Sequence, residues 1–328
     1  MNVLITGGGG YIGSITSREI LRTHPSLTVL DDLSHGHRES VEPKAKFYRG
    51  NFGDPTLLAQ IFQQEKIQAV VHFGALIEVE ASVRDPYAYY HNNFEYTLTL
   101  LKTMVEHGIR KIVFSSTAAV YGHPDLIPIP ETSSCHPINP YGRSKMMVEM
   151  ALEDFCRAYG LGYVILRYFN VAGADMADPQ HPLGENHGPE THLIPRIFQA
   201  AQKNDPVKIF GADYPTRDGT CVRDYVHVLD LAQAHCLALE VLVPGQGNVF
   251  NIGSESGFSV REVINACELV QRRKLAVKVE GRRPGDPPVL IADTQKIRHE
   301  LNWRPRFPQI QQMVEHAWLW HSLTSQFN

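Results

Sequence analysis

Asn2-Val3-Leu4-Ile5-Thr6-Gly7-Gly8-Gly9-Gly10-Tyr11-Ile12-Gly13 opens the chain, and its reading decides the fold. The apolar-leaning residues before Gly7 predict a short buried strand, the glycine run turns it, and an amphipathic helical segment follows. Gly8, Gly10 and Gly13 fit G-x-G-x-x-G, while Gly7, Gly10 and Gly13 fit the looser G-x-x-G-x-x-G. Glycine permits positive φ and leaves no Cβ between the backbone and a pyrophosphate. A helix beginning near Tyr11 offers its free N–H groups and positive dipole end to the same phosphates. A mobile loop would show the same letters. The weight therefore rests on context, a strand immediately before and a helix immediately after.

A second strand, Leu27-Thr28-Val29-Leu30, ends in Asp31, 18 positions beyond Gly13. A carboxylate at that point accepts hydrogen bonds from adenosine ribose hydroxyls and repels a 2′-phosphate, so NAD is expected rather than NADP. Asp32 beside it reads as solvent-facing. Further along, the pattern predicts a helix over 55–65, a strand over 69–73, a long helical stretch over 87–107 and a strand over 111–116. A helix over 140–159 and a strand over 163–167 follow. Continuous Val/Ile/Leu runs alternating with amphipathic segments specify a doubly wound parallel α/β sheet, covered on both faces.

After Asn170 the pattern changes. Ala172 to Glu190 is rich in Gly, Pro, Asp and His and is too long for an ordinary connection, so it is a domain linker or a ligand-covering loop. Shorter elements follow: strands at 207–210, 225–228, 249–252 and 277–280, and helices near 230–242, 260–272 and 309–323. The expected organisation is a dinucleotide-binding domain over 1–171 and a smaller mixed α/β substrate domain over 172–328. Segments around 223–252 are expected to pack back on the first, with the ligand cleft between the two.

The composition agrees with a soluble globular enzyme. The chain has 328 residues, 43% hydrophobic and 20% charged, with a net charge of −4, so no basic surface invites nucleic acid or an anionic membrane. Five cysteines are scattered without C-x-x-C, which favours a reducing compartment over a disulfide framework. With a strand starting at Asn2 and no long apolar run, neither leader nor membrane span is expected, and the location expected is the cytoplasm. The 16 histidines form no recognisable ligand spacing, so no metal is expected.

The strand ending Ser115-Ser116-Thr117 delivers a hydroxyl at its carboxyl end, where open α/β sheets bind ligands. Downstream, Tyr141 and Lys145 stand four apart on one helix face. Tyr-x-x-x-Lys alone is common; after a Ser/Thr strand end and a dinucleotide motif it carries meaning. A free phenol, with a pKa of about 10, is a poor base at pH 7. A fixed ammonium and a cationic nicotinamide beside it both favour the phenolate. An alcohol, a tyrosinate and oxidised nicotinamide together define hydride transfer.

With those residues assembled, the sequence resembles the extended short-chain dehydrogenases/reductases and, within that superfamily, the UDP-glucose/UDP-galactose 4-epimerases. Thr6–Ser14, Phe114–Gly122, Asn139–Lys145, Leu166–Gly173, Ile209–Pro215, Asp218–Val228 and Arg283–Asp286 carry the likeness, which runs along essentially the whole chain. The resemblance implies NAD-dependent epimerisation at C4 of a UDP-sugar through a transient 4-keto sugar, in a homodimer joined through the helices at 87–107 and 140–159. It implies Tyr141, Lys145 and Thr117 as the catalytic set. Cofactor contacts are implied at Gly7, Gly10, Tyr11, Ile12, Gly13, Asp31, Asp32, Ser34, Gly36, Asn51, Phe52, Phe73, Gly74, Ala75, Asn92, Tyr168 and Phe169, as well as at the catalytic three. For the UDP-sugar it implies Asn170, His192, Leu193, Lys208, Ile209, Phe210, Arg223, Arg283, Asp286 and Leu290, besides Thr117 and Tyr141.

The chain departs from the family pattern in places. Asn51 stands where an aspartate is usual, Ile77 where some members have lysine, and His192 where some have asparagine. Leu290 lies where side-chain bulk governs whether an N-acetyl group fits, so N-acetylhexosamine and pentose substrates stand as alternatives to glucose and galactose. Nucleotide-sugar dehydratases share the fold but need acid/base groups after the strand hydroxyl, where this chain has Ala118 and Ala119.

Overall fold

The computed structural model describes residues 1–283 and 285–324. Pro284, within the Arg283–Asp286 motif, and the last four residues of the expected second domain lie outside the described residues. In the first half the chain runs β1 (Val3–Thr6), α1 (Tyr11–Leu21), β2 (Leu27–Asp31), β3 (Lys46–Arg49), α2 (Pro55–Glu65) and β4 (Ala69–His72). It continues through α3 (Val79–Arg84), α4 (Pro86–Tyr89), α5 (Tyr96–Glu106), β5 (Lys111–Thr117), α6 (Pro140–Tyr159) and β6 (Gly162–Tyr168). The second half contributes β7 (Asn170–Ala172), α7 (Leu193–Lys203), β8 (Val207–Phe210), β9 (Val222–Arg223), β10 (Tyr225–His227), α8 (Val228–Glu240) and β11 (Gly247–Ile252). Then come β12 (Phe258–Ser259), α9 (Val260–Gln271), β13 (Val277–Glu280), β14 (Val289–Leu290), α10 (Gln295–Glu300) and α11 (Ile310–Thr324).

Seven strands form one parallel sheet in the order β11-β6-β5-β4-β1-β2-β3. The chain builds outward from β1 to β3, then crosses back and builds the other way from β4. The order therefore reverses between β1 and β4, which opens a crevice at their carboxyl ends. Strand alternation divides the core into two layers. Val3, Ile5, Val29, Val71, Val113, Leu166 and Phe250 face a layer with Leu231, Ala234 and Ala238 of α8. Leu4, Leu30, Val70, Ile112, Phe114 and Ile165 face the other, with residues of α2, α5 and α6. A separate core sits among α7, α9, α11 and β8, built on Ile197, Phe198, Ile209, Val263 and Met313.

Local chemistry explains the helix starts. Asp54 caps α2 through Thr56 and Leu57, and Asn139 caps α6 through Gly142, each with proline at the first helical position. The stretch expected as one helix over 87–107 is instead α4, a wider π-helical stretch over Tyr90–Glu95, and α5. Buried Asn93 sits in that widened stretch and pairs its amide with both main-chain groups of Leu76, at 2.8 and 2.9 Å. Helix α7 is absent from the sequence-based expectation, as are the short strands at 46–49 and 170–172. Among the described residues no helix is long and apolar enough to cross a membrane, and all five cysteines are free.

Beneath the carboxyl end of β5 lies a buried polar network. Arg167 on β6 donates twice to Glu149 of α6, its Nη2 at 2.6 Å from Oε2, and its Nη1 donates to the Tyr121 hydroxyl at 3.0 Å. Tyr121 in turn donates to Asn251 Oδ1 at 2.7 Å, tying β11 to the loop after β5. Removing one partner of a buried ion pair strands the other charge. Arg167→Met is accordingly expected to lower unfolding stability by about 3–5 kcal/mol, measured by urea denaturation; an unchanged midpoint would refute this account of the network.

Candidate active site

The glycine turn is held by backbone contacts that exclude a side chain. Gly7 has φ +76°, and a Cβ there would lie 2.8 Å from the Gly74 nitrogen. A Cβ on Gly13 would lie 2.2 Å from the Gly7 carbonyl oxygen. This is a cradle at the β1/β4 switch point, the shape a pyrophosphate needs, and the residues present fit a dinucleotide. Asp31 is buried at the end of β2, accepting from the main-chain nitrogens of Gly9 and Leu33 at 2.8 Å each, with its pKa raised chiefly by burial. Two lone pairs remain for a ribose. Asp32 accepts from Ser34, from its main-chain nitrogen at 2.9 Å and from its hydroxyl, and from Asn51 Nδ2 at 3.2 Å. Asn51 also accepts from the Gly53 nitrogen at 2.7 Å, so the amide at this position has local work.

Around the crevice, Gly36 packs against Gly9, and the Phe52 ring lies where a Cβ on Gly74 would stand. Phe73 follows β4, its ring centroid 4.6 Å from that of His235. Ile12 packs against two apolar clusters, and Phe169 is buried beside Ala118 and Tyr121. Tyr11 spends its hydroxyl on the Gly173 carbonyl at 2.6 Å, joining the first helix to the loop after β7. Asn92 donates to Asn93 Oδ1 at 3.0 Å; Asn93, which sequence reasoning passed over, is the buried anchor linking Leu76 to Ser144 of α6.

The expected catalytic residues meet where α6 begins. Its cap on Asn139 and the bare Gly142, where a Cβ would come 2.6 Å from Ala119 O, seat the helix end on the turn after β5. Tyr141 is thereby buried in the first turn, and its phenol hydrogen-bonds the Thr117 side chain. Lys145, one turn on and 3% exposed, donates from Nζ to the Ser115 carbonyl at 2.8 Å and lies 4.9 Å from the Phe114 ring centroid. Burial raises the Tyr141 pKa, against which the Thr117 bond works, and burial brings Lys145 down to about 7. The expected help to the phenolate from a fixed ammonium and a cationic nicotinamide concerns the loaded site, not the protein's own groups. Here both groups are driven toward neutrality by desolvation.

The residues expected to hold a UDP-sugar fall into two groups. Arg223 on β9 donates to Asp286 at 3.1 Å and stands in register with Leu290 on β14. Arg283 stacks its guanidinium 4.0 Å over the Phe210 ring at the end of β8. Asn170 pairs in register with Tyr225 and hydrogen-bonds its side chain, while Lys208 is exposed. Ile209 is 1% exposed within the second core, and its strand is paired with β13, so its side chain is turned away from any ligand.

His192, just ahead of Leu193 and α7, belongs to a cluster invisible in the sequence. Donor atoms of Glu185, His187, Glu190 and His192 all lie within 4.8 Å of one another. His192 Nδ1 pairs with Glu185 Oε1, which His187 Nδ1 approaches to 3.2 Å. Burial opposes both charges, yet the pairing holds Glu185 down to about 2 and His192 up to about 9. The linked stability of His192 is complete below its ordinary 6.5 and is lost as pH rises through about 9; that of Glu185 is complete above its ordinary 4.5 and is lost as pH falls through about 2. Hydrogen-exchange protection at Thr191 and His192, corrected for intrinsic rate, should therefore fall as pH climbs through about 9. Glu185→Gln should bring that fall to lower pH, and a profile identical to the parent's would contradict the pairing.

Comparison with known proteins places this geometry. The model of the NAD dependent epimerase/dehydratase family matches residues 3–253. The UDP-glucose 4-epimerase of Lacticaseibacillus casei is 48% identical over 323 residues, spanning 98% of this chain and 97% of that protein. The crystal structure of UDP-glucose 4-epimerase from Brucella ovis in complex with NAD superposes with a TM-score of 0.91 at 40% identity, covering 96% of this chain and 97% of that one. The Bifidobacterium longum enzyme in complex with NAD⁺ and UDP gives 0.92 at 35% identity, covering 99% of both chains.

Proposed function

The chain belongs to the NAD dependent epimerase/dehydratase family, and we propose that within it the protein is a UDP-sugar 4-epimerase that interconverts UDP-glucose and UDP-galactose through a transient 4-keto sugar. One observation carries the reading. The Tyr141 phenol, bonded to Thr117 and one turn from Lys145, stands at the carboxyl end of β5, on the same sheet edge as the glycine cradle after β1. Similarity to enzymes named for this reaction, and solved with NAD and UDP, supports it.

NAD, when bound, supplies reversible two-electron oxidation at the sugar C4. The glycines at 7, 10 and 13 and the start of α1 hold its pyrophosphate, with Tyr11 and Ile12 behind them. Asp31, Asp32, Ser34, Gly36 and Asn51 serve the adenosine end, and Phe73, Gly74, Ala75, Asn92, Tyr168 and Phe169 surround the other. Tyr141 Oη takes the O4 proton and returns it, Thr117 shares the O4 hydrogen bond, and Lys145 holds the nicotinamide ribose. Arg223 and Arg283 grip the diphosphate through planar forks, with Asn170, His192, Leu193, Lys208, Phe210 and the Ile209 main chain around the nucleotide. Asp286 orients Arg223, and Leu290 bounds the sugar pocket. Ala118 and Ala119 carry no proton, which disfavours elimination. In this division residues 1–171 serve the cofactor and 172–328 the nucleotide sugar, with Gly247–Ile252 returned to the first sheet.

Purified protein given UDP-galactose without added NAD should form UDP-glucose. Tyr141→Phe should lower kcat by about 10²–10⁴-fold, and wild-type inactivity on UDP-galactose, UDP-N-acetylgalactosamine and UDP-arabinose alike would refute the epimerase reading. We further propose a cytoplasmic homodimer. Val83 is 64% exposed, Tyr87 71% and Met150 57%, which sets large apolar side chains on α3, α4 and α6, and α3 and α4 both pack on α6. Light scattering at micromolar concentration should give twice the chain mass, and a monomeric mass would count against it.

A further inference from the structure

His235 lies outside every residue set described above. It sits mid-way along α8, 0% exposed, near Leu231, Ala234, Ala238 and Leu239, which share a core with the central sheet. An imidazole in apolar surroundings is costly unless both ring nitrogens find partners. Here both do. Nδ1 lies 2.9 Å from the Leu231 carbonyl oxygen, which can only accept, so the proton is on Nδ1. Burial holds the ring's pKa down to about 4, so it is neutral at working pH. Nε2 is then a bare acceptor, and the group facing it is the Ser115 hydroxyl at 3.0 Å.

The direction of donation follows. Ser115 gives its single proton to His235, so its oxygen is left with lone pairs only. Tyr168, half-buried at the end of β6, interacts with the Ser115 side chain, and with the serine proton committed to His235 its hydroxyl is the donor. The main-chain carbonyl of the same serine receives the Lys145 ammonium at 2.8 Å. Ser115 thus fixes two side chains of the crevice by two different atoms, and His235 fixes Ser115. The imidazole also lies against Phe73, at 4.6 Å between ring centroids, so a third wall residue rests on it.

We propose that His235, which does not itself touch substrate or cofactor, is a positioning residue for the reaction: through Ser115 it fixes the Tyr168 hydroxyl as a donor and steadies the carbonyl that holds Lys145. The consequence is an ammonium held in a fixed place one turn from the Tyr141 phenol, which itself bonds Thr117. The inference rests on the epimerase reading for its kinetic consequence, though the hydrogen-bond direction stands independently of it.

The test has an arm for each. Long-range ¹H–¹⁵N spectra of histidine-labelled holoenzyme, with the signal assigned by its loss in His235→Gln, should show Nδ1 protonated and Nε2 bare at pH 7. A protonated Nε2 would overturn the inference whatever the enzyme's substrate. In kinetics, His235→Phe should lower kcat on UDP-galactose by about 10- to 100-fold with KM unchanged, and His235→Gln, whose carbonyl can still accept from Ser115, should restore most of the loss. Ser115→Ala, a milder change if the phenylalanine variant folds poorly, should cost a similar factor, and the double variant no more than the worse single one. Folded His235→Phe with parental kcat, or effects that multiply in the double variant, would overturn the proposal.

Discussion

At the glycine turn, backbone lies against backbone. The carbonyl of Gly7 occupies the space where a Gly13 side chain would begin, and the Gly74 nitrogen closes on Gly7 from the neighbouring strand end. No other residue type permits either contact without moving a strand or a helix. Because β1 and β4 are the strands between which the sheet order reverses, these contacts also set the width of the crevice. Peptide groups rather than side chains line the cradle, and the Phe52 ring closes on Gly74. The rest of the fold serves to keep that spacing.

Opposite the cradle, desolvation is the dominant force. It raises Tyr141 and lowers Lys145 to about 7, so neutral phenol and a partly neutral amine are the resting preference of the protein's own groups. A phenolate at pH 7 needs a shift of about three units from the ordinary value, roughly 4 kcal/mol. The Thr117 bond is the influence the protein itself sets against burial. On the proposed reading the remainder would come from charge that ligands bring into the crevice, which would couple proton abstraction to occupancy.

Much of the first half was legible in the sequence, for a physical reason. Buried parallel strands are continuous apolar runs, and α2 and α6 advertise their starts with Asp54-Pro55 and Asn139-Pro140, so residue types and periodicity read directly as elements. Tyr141 and Lys145 were legible because a helix places i and i+4 on one face. The misses share a different cause. Asn93, Ser115 and His235 act across 17 to 120 positions of sequence, where no local pattern reports a partner. Ile209 was named by motif position, but strand alternation turns its side chain into the core. The cluster of Glu185, His187, Glu190 and His192 has no ligand-like spacing and exists only because the loop folds on itself.

That loop, which by composition is a linker or a cover, is anchored at both of its ends. From Gly173 onward, its anchors repeatedly lie on the cofactor side of the molecule. Tyr11 donates to Gly173 O, Arg18 of α1 reaches buried Asp175 at 2.8 Å and the His181 carbonyl at 2.8 Å, and His37 meets the Asn186 carbonyl at 3.0 Å. Its far end meets the other core instead, since Gly184 packs against Trp320 of α11 and residue 192 leads straight into α7. A flexible linker would leave such polar groups to water. Here a buried carboxylate and a buried phenol are spent on the crossing, and both would be costly to expose or leave unpaired. The loop is a strap that ties α1 to the elements around α7 and α11.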